Sequence, residues 1–349
     1  MPDPLESAFE RLAQQANHAD EVKAWPEASW QALRESGALA WSIPSAYGGQ
    51  NLEGVELLAR YERLASACLT SCFILSQRDA ACRRIVGSGN EELCRELLPP
   101  LARGDTFATV GLSQLTTSRQ HVRPALTARA KEDHFVLDGF MPWVTGAARA
   151  DHFVTGAVLE DGRQILAALP RNLPGVDVQP ALDLMALQSS MTAEVRCENV
   201  VVSKRWLLAG PVEKVLAKRG MGGGLETSCL ALGLAGAAVD YLLQQAEMRP
   251  DLQDVAGRLQ KARQTVRDEL YRLAEGGGEA EAALALRARA NSLVLRATQA
   301  ALAAGKGAAF LKGHPAQRWA RQALFFLVWS CPRPAAEATL HLLASDVCD

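Results

Sequence analysis

The sequence predicts an α+β protein in three parts, with an N-terminal helical bundle over residues 1–105, a middle antiparallel β domain over 106–214 and a C-terminal four-helix bundle over 215–349. Apolar residues recur at helical spacing near both ends, whereas the middle has short β-branched or aromatic runs separated by turn residues. At 349 residues the chain also exceeds the size at which one hydrophobic core keeps growing. We therefore expect two or three packed subdomains.

The first part shows helical spacing most clearly at Leu57, Leu58, Tyr61 and Leu64. Residues 42–49 interrupt this pattern. Pro44 disfavours a helical conformation in the residue before it, and the pair Gly48-Gly49 permits positive φ angles. We expect a loop between helices at this place.

The middle part contains two strand runs that end in turn residues. Phe135-Val136-Leu137 precedes Asp138-Gly139, and the run 153–159 precedes Asp161-Gly162. An Asp-Gly pair favours a tight hairpin turn because both of its residues tolerate positive φ. Each pair therefore predicts a turn between antiparallel strands.

The last part returns to helical spacing, and Gly276-Gly277-Gly278 ends its clearest stretch. That stretch comprises Val255, Leu259, Ala262, Val266, Leu270 and Leu273. Short connections between such segments are typical of a bundle. The predicted helices are 216–248, 252–275, 279–304 and 315–345.

Charge and cysteine content exclude several classes of protein. With 37 basic and 39 acidic residues, the chain has no general attraction for phosphate backbones or anionic membranes. The eight cysteines form no CxxC pair, so we expect buried reduced thiols and no metal site. Neither a signal peptide nor a run of about 20 apolar residues is found. We expect a cytoplasmic protein that binds neither nucleic acid nor membrane.

Four segments, in order, resemble motifs of the acyl-CoA dehydrogenase family. Residues 44–49, PSAYGG, resemble its PxxYGG loop, and residues 139–147, GFMPWVTGA, resemble its GxKxWITNG strand. Residues 184–202 resemble LGxRxSxTxExxFxDVxVP, and residues 305–344 resemble the closing segment of the family. The resemblance covers almost the whole chain. It implies that FAD lies between the β domain and the second bundle, with an acyl thioester against the flavin.

The resemblance also assigns residues to the cofactor. Trp143 and Thr145 match the residues that pack on the flavin ring and hydrogen-bond it, and Ser113 matches the threonine at its pyrimidine edge. An aromatic beside a hydroxyl suits such a ring, although tryptophan and threonine in strands often only pack in a core. Arg249 retains part of an element that grips the FAD of a neighbouring subunit. The expected assembly is a homodimer or homotetramer.

The reaction needs a carboxylate base, and the usual place for it is altered. Most members of the family carry a glutamate on the last helix, where this chain has Trp329-Ser330-Cys331-Pro332; the Ser330 hydroxyl cannot take a proton near neutrality. A minority carry the base on the first helix of the second bundle, which here is Glu226, seven residues before Gly233. Burial would raise its pKa to a useful value. Alternatively, Glu226 is a helix N-terminal carboxylate stabilised by the dipole.

The resemblance therefore implies an FAD-dependent oxidoreductase that performs α,β-dehydrogenation of an acyl thioester. Two alternatives stay open: a monooxygenase of the same fold that uses reduced flavin and oxygen, and a non-catalytic flavin- or ligand-binding relative. Residues 113–120 lack the acid and the glycine of the family's flavin loop, and Thr227 replaces an arginine that holds CoA. No motif reports the chain length of a substrate.

Overall fold

The computed structural model describes residues 3–116, 124–216, 225–276, 280–330 and 333–344. Helices, a sheet and a second set of helices follow one another along the chain, which confirms the predicted α+β class. The limits predicted for the three parts fall between elements and stay a prediction. The first part contains α1 (Pro4–Glu21), α2 (Glu27–Glu35), α3 (Gly54–Ala67), α4 (Leu69–Gly87) and α5 (Glu91–Arg103).

The loop predicted over 42–49 is confirmed, with a single 3₁₀ turn at Ser45–Tyr47. The carbonyl of Pro44 accepts hydrogen bonds from the amides of Tyr47 and Gly49, and Gly48 has a φ of 83°. A Cβ at Gly49 would lie 1.8 Å from the carbonyl oxygen of Ile43. The chain can pass at this distance only as glycine.

The middle part forms one mixed sheet. Its path runs β6-β7-β3-β2-β4-β5-β8, and β1 pairs with β4 beside that path. The prediction of an antiparallel domain is wrong for two pairings: within the described residues β1 and β2 pair with β4 in parallel, and the other pairings are antiparallel. Long connections lead from β1 and β2 to β4, which a parallel pairing requires. The elements are β1 (Ala108–Gly111), α6 (Ser113–Thr116), β2 (Leu126–Ala130), β3 (His134–Val144), β4 (His152–Leu159), β5 (Gln164–Pro170), β6 (Val176–Val178), β7 (Ala193–Ser203) and β8 (Leu207–Val212).

Of the two predicted hairpin turns, one is confirmed. Asp161-Gly162 joins β4 to β5, and Gly162 has a φ of 84°. The turn predicted at Asp138-Gly139 is wrong, because β3 continues through both residues. Gly139 has a φ of 123° and lies at a shift in the register between β3 and β7. Its positive φ serves a β-bulge here, a use of glycine that the sequence pattern does not distinguish from a turn.

The C-terminal helices differ from prediction at both ends of the part. Of the first predicted helix, 216–248, residues 225–248 are helical and Leu216 lies in a turn, while 217–224 lie outside the described residues. The segment predicted as one helix over 315–345 is two, because Arg287 donates hydrogen bonds to the carbonyls of Phe326 and Trp329 and holds the chain in turns. The elements are α7 (Leu225–Met248), α8 (Gln253–Gly276), α9 (Ala280–Ala304), α10 (Lys306–Ala309), α11 (Pro315–Phe325) and α12 (Arg333–Ala344).

Helix α7 is the central element of the second bundle. By length and composition it could cross a membrane, but 78% of its most apolar window is buried inside the protein. It packs against α3, α8 and α9. A helix that is apolar all round and covered on all sides is a core helix.

Gly233 allows α7 to approach α3 closely, since a Cβ there would lie 2.4 Å from the carbonyl oxygen of Glu62 and 2.7 Å from the Cβ of Ala65. We expect Gly233→Ala to lower the free energy of unfolding by about 1–3 kcal/mol, because the two helices must separate. Gly257 on α8 is the matched control, because it is exposed and nothing lies within 4 Å of its added Cβ. Gly257→Ala should stabilise by about 0.5–1 kcal/mol through helix propensity. Urea unfolding measures both variants, and equal effects would contradict the packing argument.

Candidate functional site

Trp143 is turned outward by a bulge at the end of β3. Met141 pairs with Val195 but Val144 pairs with Ala193, so β3 has one residue more than β7 over this stretch. The residue before Trp143 is a proline, which has no N–H for the ladder. The Trp143 side chain is consequently 51% exposed. A large aromatic face therefore lies open at this end of the sheet.

Thr145 lies two residues beyond, and it is buried. Its hydroxyl is 3.5 Å from that of Thr192, at the outer limit of a hydrogen bond, whereas Thr192 and Ser190 are 2.8 Å apart. The Ser190 carbonyl also accepts from the amide of Gly146. Ser190 and Thr192 belong to the segment 184–202, which resembles a motif of the family, and they lie beside Thr145. The Thr145 hydroxyl keeps most of its hydrogen-bonding capacity.

Ser113 follows β1 and begins the short helix α6, which packs on β3. A Cβ at Gly111 would lie 2.7 Å from the Sδ of Met141 and 3.2 Å from Val144, so the ends of β1 and β3 are in close contact. The Oγ of Ser113 is buried and has no hydrogen-bond partner. Buried hydroxyls without a partner are uncommon and call for an explanation.

These three side chains suit a flat heterocycle with polar edges. Trp143 offers an apolar face for stacking, while Thr145 and the unpartnered Ser113 hydroxyl offer hydrogen bonds to ring heteroatoms. The residues present therefore fit a flavin ring. Of the predicted flavin loop, 113–120, residues 117–120 lie outside the described residues.

Arg249 lies at the opposite end of α7 from Glu226, about 35 Å away at the rise of an α-helix. Its guanidinium donates hydrogen bonds to the carbonyl of Ala304, at 2.6 Å, and to Asp251, at 2.9 Å. These bonds tie the α7–α8 connection to the end of α9. Arg249 and Glu226 cannot serve one site within a single chain, so a cofactor role for Arg249 depends on a neighbouring subunit and stays a proposal.

Glu226 stands in the first turn of α7 and pairs with Arg83 of α4, with 2.6 Å between Oε1 and the arginine nitrogen. One quarter of the glutamate side chain is exposed. Burial raises the pKa of Glu226 above its ordinary value, and the Arg83 charge opposes part of that rise. The carboxylate is therefore more basic than a surface glutamate and is held in one direction.

Helix α4 adds a group of charges that the sequence analysis missed. Arg78 and Asp79 form a fully buried ion pair at 2.6 Å, and the Tyr61 hydroxyl donates to the other Asp79 oxygen at 2.7 Å. Arg83 and Arg84 follow one turn later. Since α4 packs on both β1 and α7, it connects the two halves of the site. The sequence does carry a sign of this group, since two adjacent arginines, Arg83 and Arg84, follow the apolar residues 80–82. Arginines within an apolar helix are rarely buried without a partner, so they indicate a buried charge cluster.

The usual place of the base holds an aromatic cluster instead. The Trp329 ring stacks on Phe325 at 5.0 Å and 10°, and its plane is nearly perpendicular to that of Phe73 on α4, also at 5.0 Å. Ser330 is exposed, with a φ of 44°. Among the described residues of this segment, 326–330, there is no carboxylate. Glu226 thus stays the candidate base.

The cysteines of the described part of the chain are free and buried, as predicted. Burial raises the pKa of the Cys82 thiol to about 11 and that of Cys197 to about 12, so neither is a reactive thiolate at neutral pH. Cys331 and Cys348 lie outside the described residues. No group of three or more metal-ligating side chains is found in the part that the structure describes.

Comparison with known proteins gives a consistent result. Residues 6–105 match the family model described as acyl-CoA dehydrogenase, N-terminal domain. The Bacillus subtilis protein named "Probable acyl-CoA dehydrogenase YngJ" is 25% identical over 338 residues, which cover 90% of this chain and 89% of that protein. Butyryl-CoA dehydrogenase from Megasphaera elsdenii superposes with a TM-score of 0.84 at 19% identity, over 98% of each chain. An acyl-CoA dehydrogenase from Bacillus anthracis, solved with FAD, gives 0.77 at 19% identity, over 94% of this chain and 63% of that one.

Proposed function

This chain belongs to the acyl-CoA dehydrogenase family, and from that premise we propose that it is an FAD-dependent oxidoreductase that dehydrogenates an acyl thioester between its α and β carbons. The observation that supports the proposal is the partly buried carboxylate of Glu226 at the start of α7, which is paired with Arg83 and has a raised pKa. A base of this kind takes a proton from a weakly acidic carbon more readily than an exposed glutamate does.

Trp143, Thr145 and Ser113 are proposed to hold the cofactor. The exposed face of Trp143 packs against the ring, and the hydroxyls of Thr145 and Ser113 bond its polar edge. When bound there, FAD supplies the acceptor for the hydride that leaves the β carbon. Burial of the ring against the sheet also keeps water from the reacting carbons.

Glu226 is proposed to remove the proton from the carbon next to the thioester carbonyl. Its pair with Arg83 fixes the direction of the carboxylate, so that one oxygen is held and the other is available to the substrate. The Arg83 charge also keeps the group ionised before the reaction.

We further propose that the protein acts as a homodimer or homotetramer in the cytoplasm. Phe310 and Leu311, after α10, are 80% and 66% exposed, and Met248, beside Arg249, is 86% exposed. Large apolar side chains that are grouped on a surface are usually covered by a partner. A second copy at this face would also bring Arg249 toward the cofactor of its neighbour.

The visible spectrum of the purified protein, before and after anaerobic addition of acyl-CoAs of increasing chain length, tests the proposal. We expect a flavin spectrum that bleaches, because proton removal by Glu226 allows hydride transfer. Bound flavin that bleaches with none of them, and oxygen uptake that needs a flavin reductase, would instead indicate the monooxygenase. Protein that binds no flavin even after FAD is added would contradict both and favour the non-catalytic alternative.

A further inference from the structure

Arg84 is a partly buried charge that forms no ion pair of its own among the described residues. Among these residues its Nε is buried without a hydrogen-bond partner. Burial lowers the pKa of Arg84, the neighbouring Arg83 lowers it further, and the charge of Glu226 offsets only part of that fall. An unpaired buried charge is costly, so such a group is normally matched by an anion.

Arg83 has spare capacity for the same anion. One of its terminal nitrogens pairs with Glu226, while the other, Nη1, is buried without a partner. A guanidinium carries five N–H donors in a planar fork and can serve two carboxylates at once. The Arg83 side chain is 12% exposed and that of Glu226 is 25% exposed, so the pair borders open space.

The charges around Glu226 do not balance. Counting the described residues, the guanidinium groups of Arg78, Arg83 and Arg84 lie near the carboxylates of Asp79 and Glu226, which leaves an excess of one positive charge. Asp79 is already satisfied by Arg78 and Tyr61. A ligand with one negative charge at this point would neutralise the site.

We propose that Arg83 and Arg84 bind a carboxylate on the acyl portion of the substrate, so that the preferred substrate is a short dicarboxylic acid joined to its carrier by one thioester. This inference rests on the proposed function, since Glu226 as base fixes where the α carbon lies. If Glu226 faces the α carbon, the arginines near Glu226 lie beside the acyl chain and many bonds away from the phosphates of CoA. A carboxylate only a few carbons from the thioester could reach both arginines.

Binding measured without turnover tests this. We compare succinyl-CoA with butyryl-CoA, and glutaryl-CoA with valeryl-CoA, by calorimetry on protein whose flavin has been reduced with dithionite. The wild type should bind each dicarboxylic thioester about tenfold or more tightly than its partner of equal length, because a charged hydrogen bond is gained. Arg84→Met should reduce the ratio toward one, and Arg84→Lys should retain part of it.

Arg95→Met is the matched control, because Arg95 is exposed on α5 and pairs only with the neighbouring Glu91. It should leave the ratio unchanged. A wild-type ratio near one, or a ratio that Arg84→Met does not alter, would overturn the inference. A third result would also overturn it: Arg84→Met weakens binding of both thioesters equally but does not weaken binding of valeryl-pantetheine. Arg84 would then bind the phosphates of CoA. Absence of flavin reduction by every thioester would reject the proposed function but leave this binding ratio measurable.

Discussion

Replacing Glu226 with glutamine is expected to slow flavin reduction by the best acyl thioester by about 10²- to 10⁴-fold, the usual contribution of a positioned base. Glutamine keeps the size of the side chain but cannot take the proton. Flavin binding should persist, because Trp143, Thr145 and Ser113 are unchanged. Anaerobic stopped-flow absorbance measures the rate, and retention of the wild-type rate would show that Glu226 is not the base.

The pH dependence gives the same experiment a second readout. Burial raises the pKa of Glu226 above 4.5, so the rate should fall as pH drops through that raised value and protonates the base. This acid limb should be absent from the residual rate of Glu226→Gln. Glu247→Gln is the control on the same helix, because Glu247 is exposed about 30 Å away and should leave both rate and pH profile unaltered.

Replacing Arg78 with methionine is expected to lower the free energy of unfolding by about 3–5 kcal/mol. Arg78 and Asp79 are both fully buried and lie 2.6 Å apart, and Arg78 also donates to the Leu101 carbonyl of α5. Without the guanidinium, Asp79 loses its ion-pair partner in the protein interior and, among the described residues, keeps the Tyr61 hydroxyl as a hydrogen-bond donor. Urea unfolding followed by tryptophan fluorescence measures the loss.

Arg258→Met is the matched control, because it removes an exposed ion pair in place of a buried one. Arg258 pairs with Asp254 one turn away on α8, with both side chains more than two-thirds exposed, so its removal should change stability little. If the two variants lost equal stability, burial would not be the source of the effect. Arg78→Met/Asp79→Asn should recover part of the loss, because it also removes the buried carboxylate that has lost its ion-pair partner.

Two predictions are wrong because the same local sequence pattern is compatible with two backbone conformations. Asp138-Gly139 carries a hairpin signal, but pairing of β3 with β7 on one side and β2 on the other keeps the strand continuous and makes Gly139 a bulge. The helix predicted over 315–345 breaks because Arg287, distant in sequence, holds two carbonyls after α11. Pro332 was a usable sign of that break, since proline disfavours helix in the residue before it.

The sequence by itself determined the order of the three parts and the loop at 42–49, because spacing and turn residues are local properties of the chain, and motif register alone led to the proposal of Glu226. Only the tertiary structure decided the environment of that carboxylate. Arg83 and Arg84 precede Glu226 by more than 140 residues, and no local pattern reports that α4 and α7 meet. Charge pairing and burial arise from packing between distant segments, and they decide whether a glutamate is a solvated helix cap or a base.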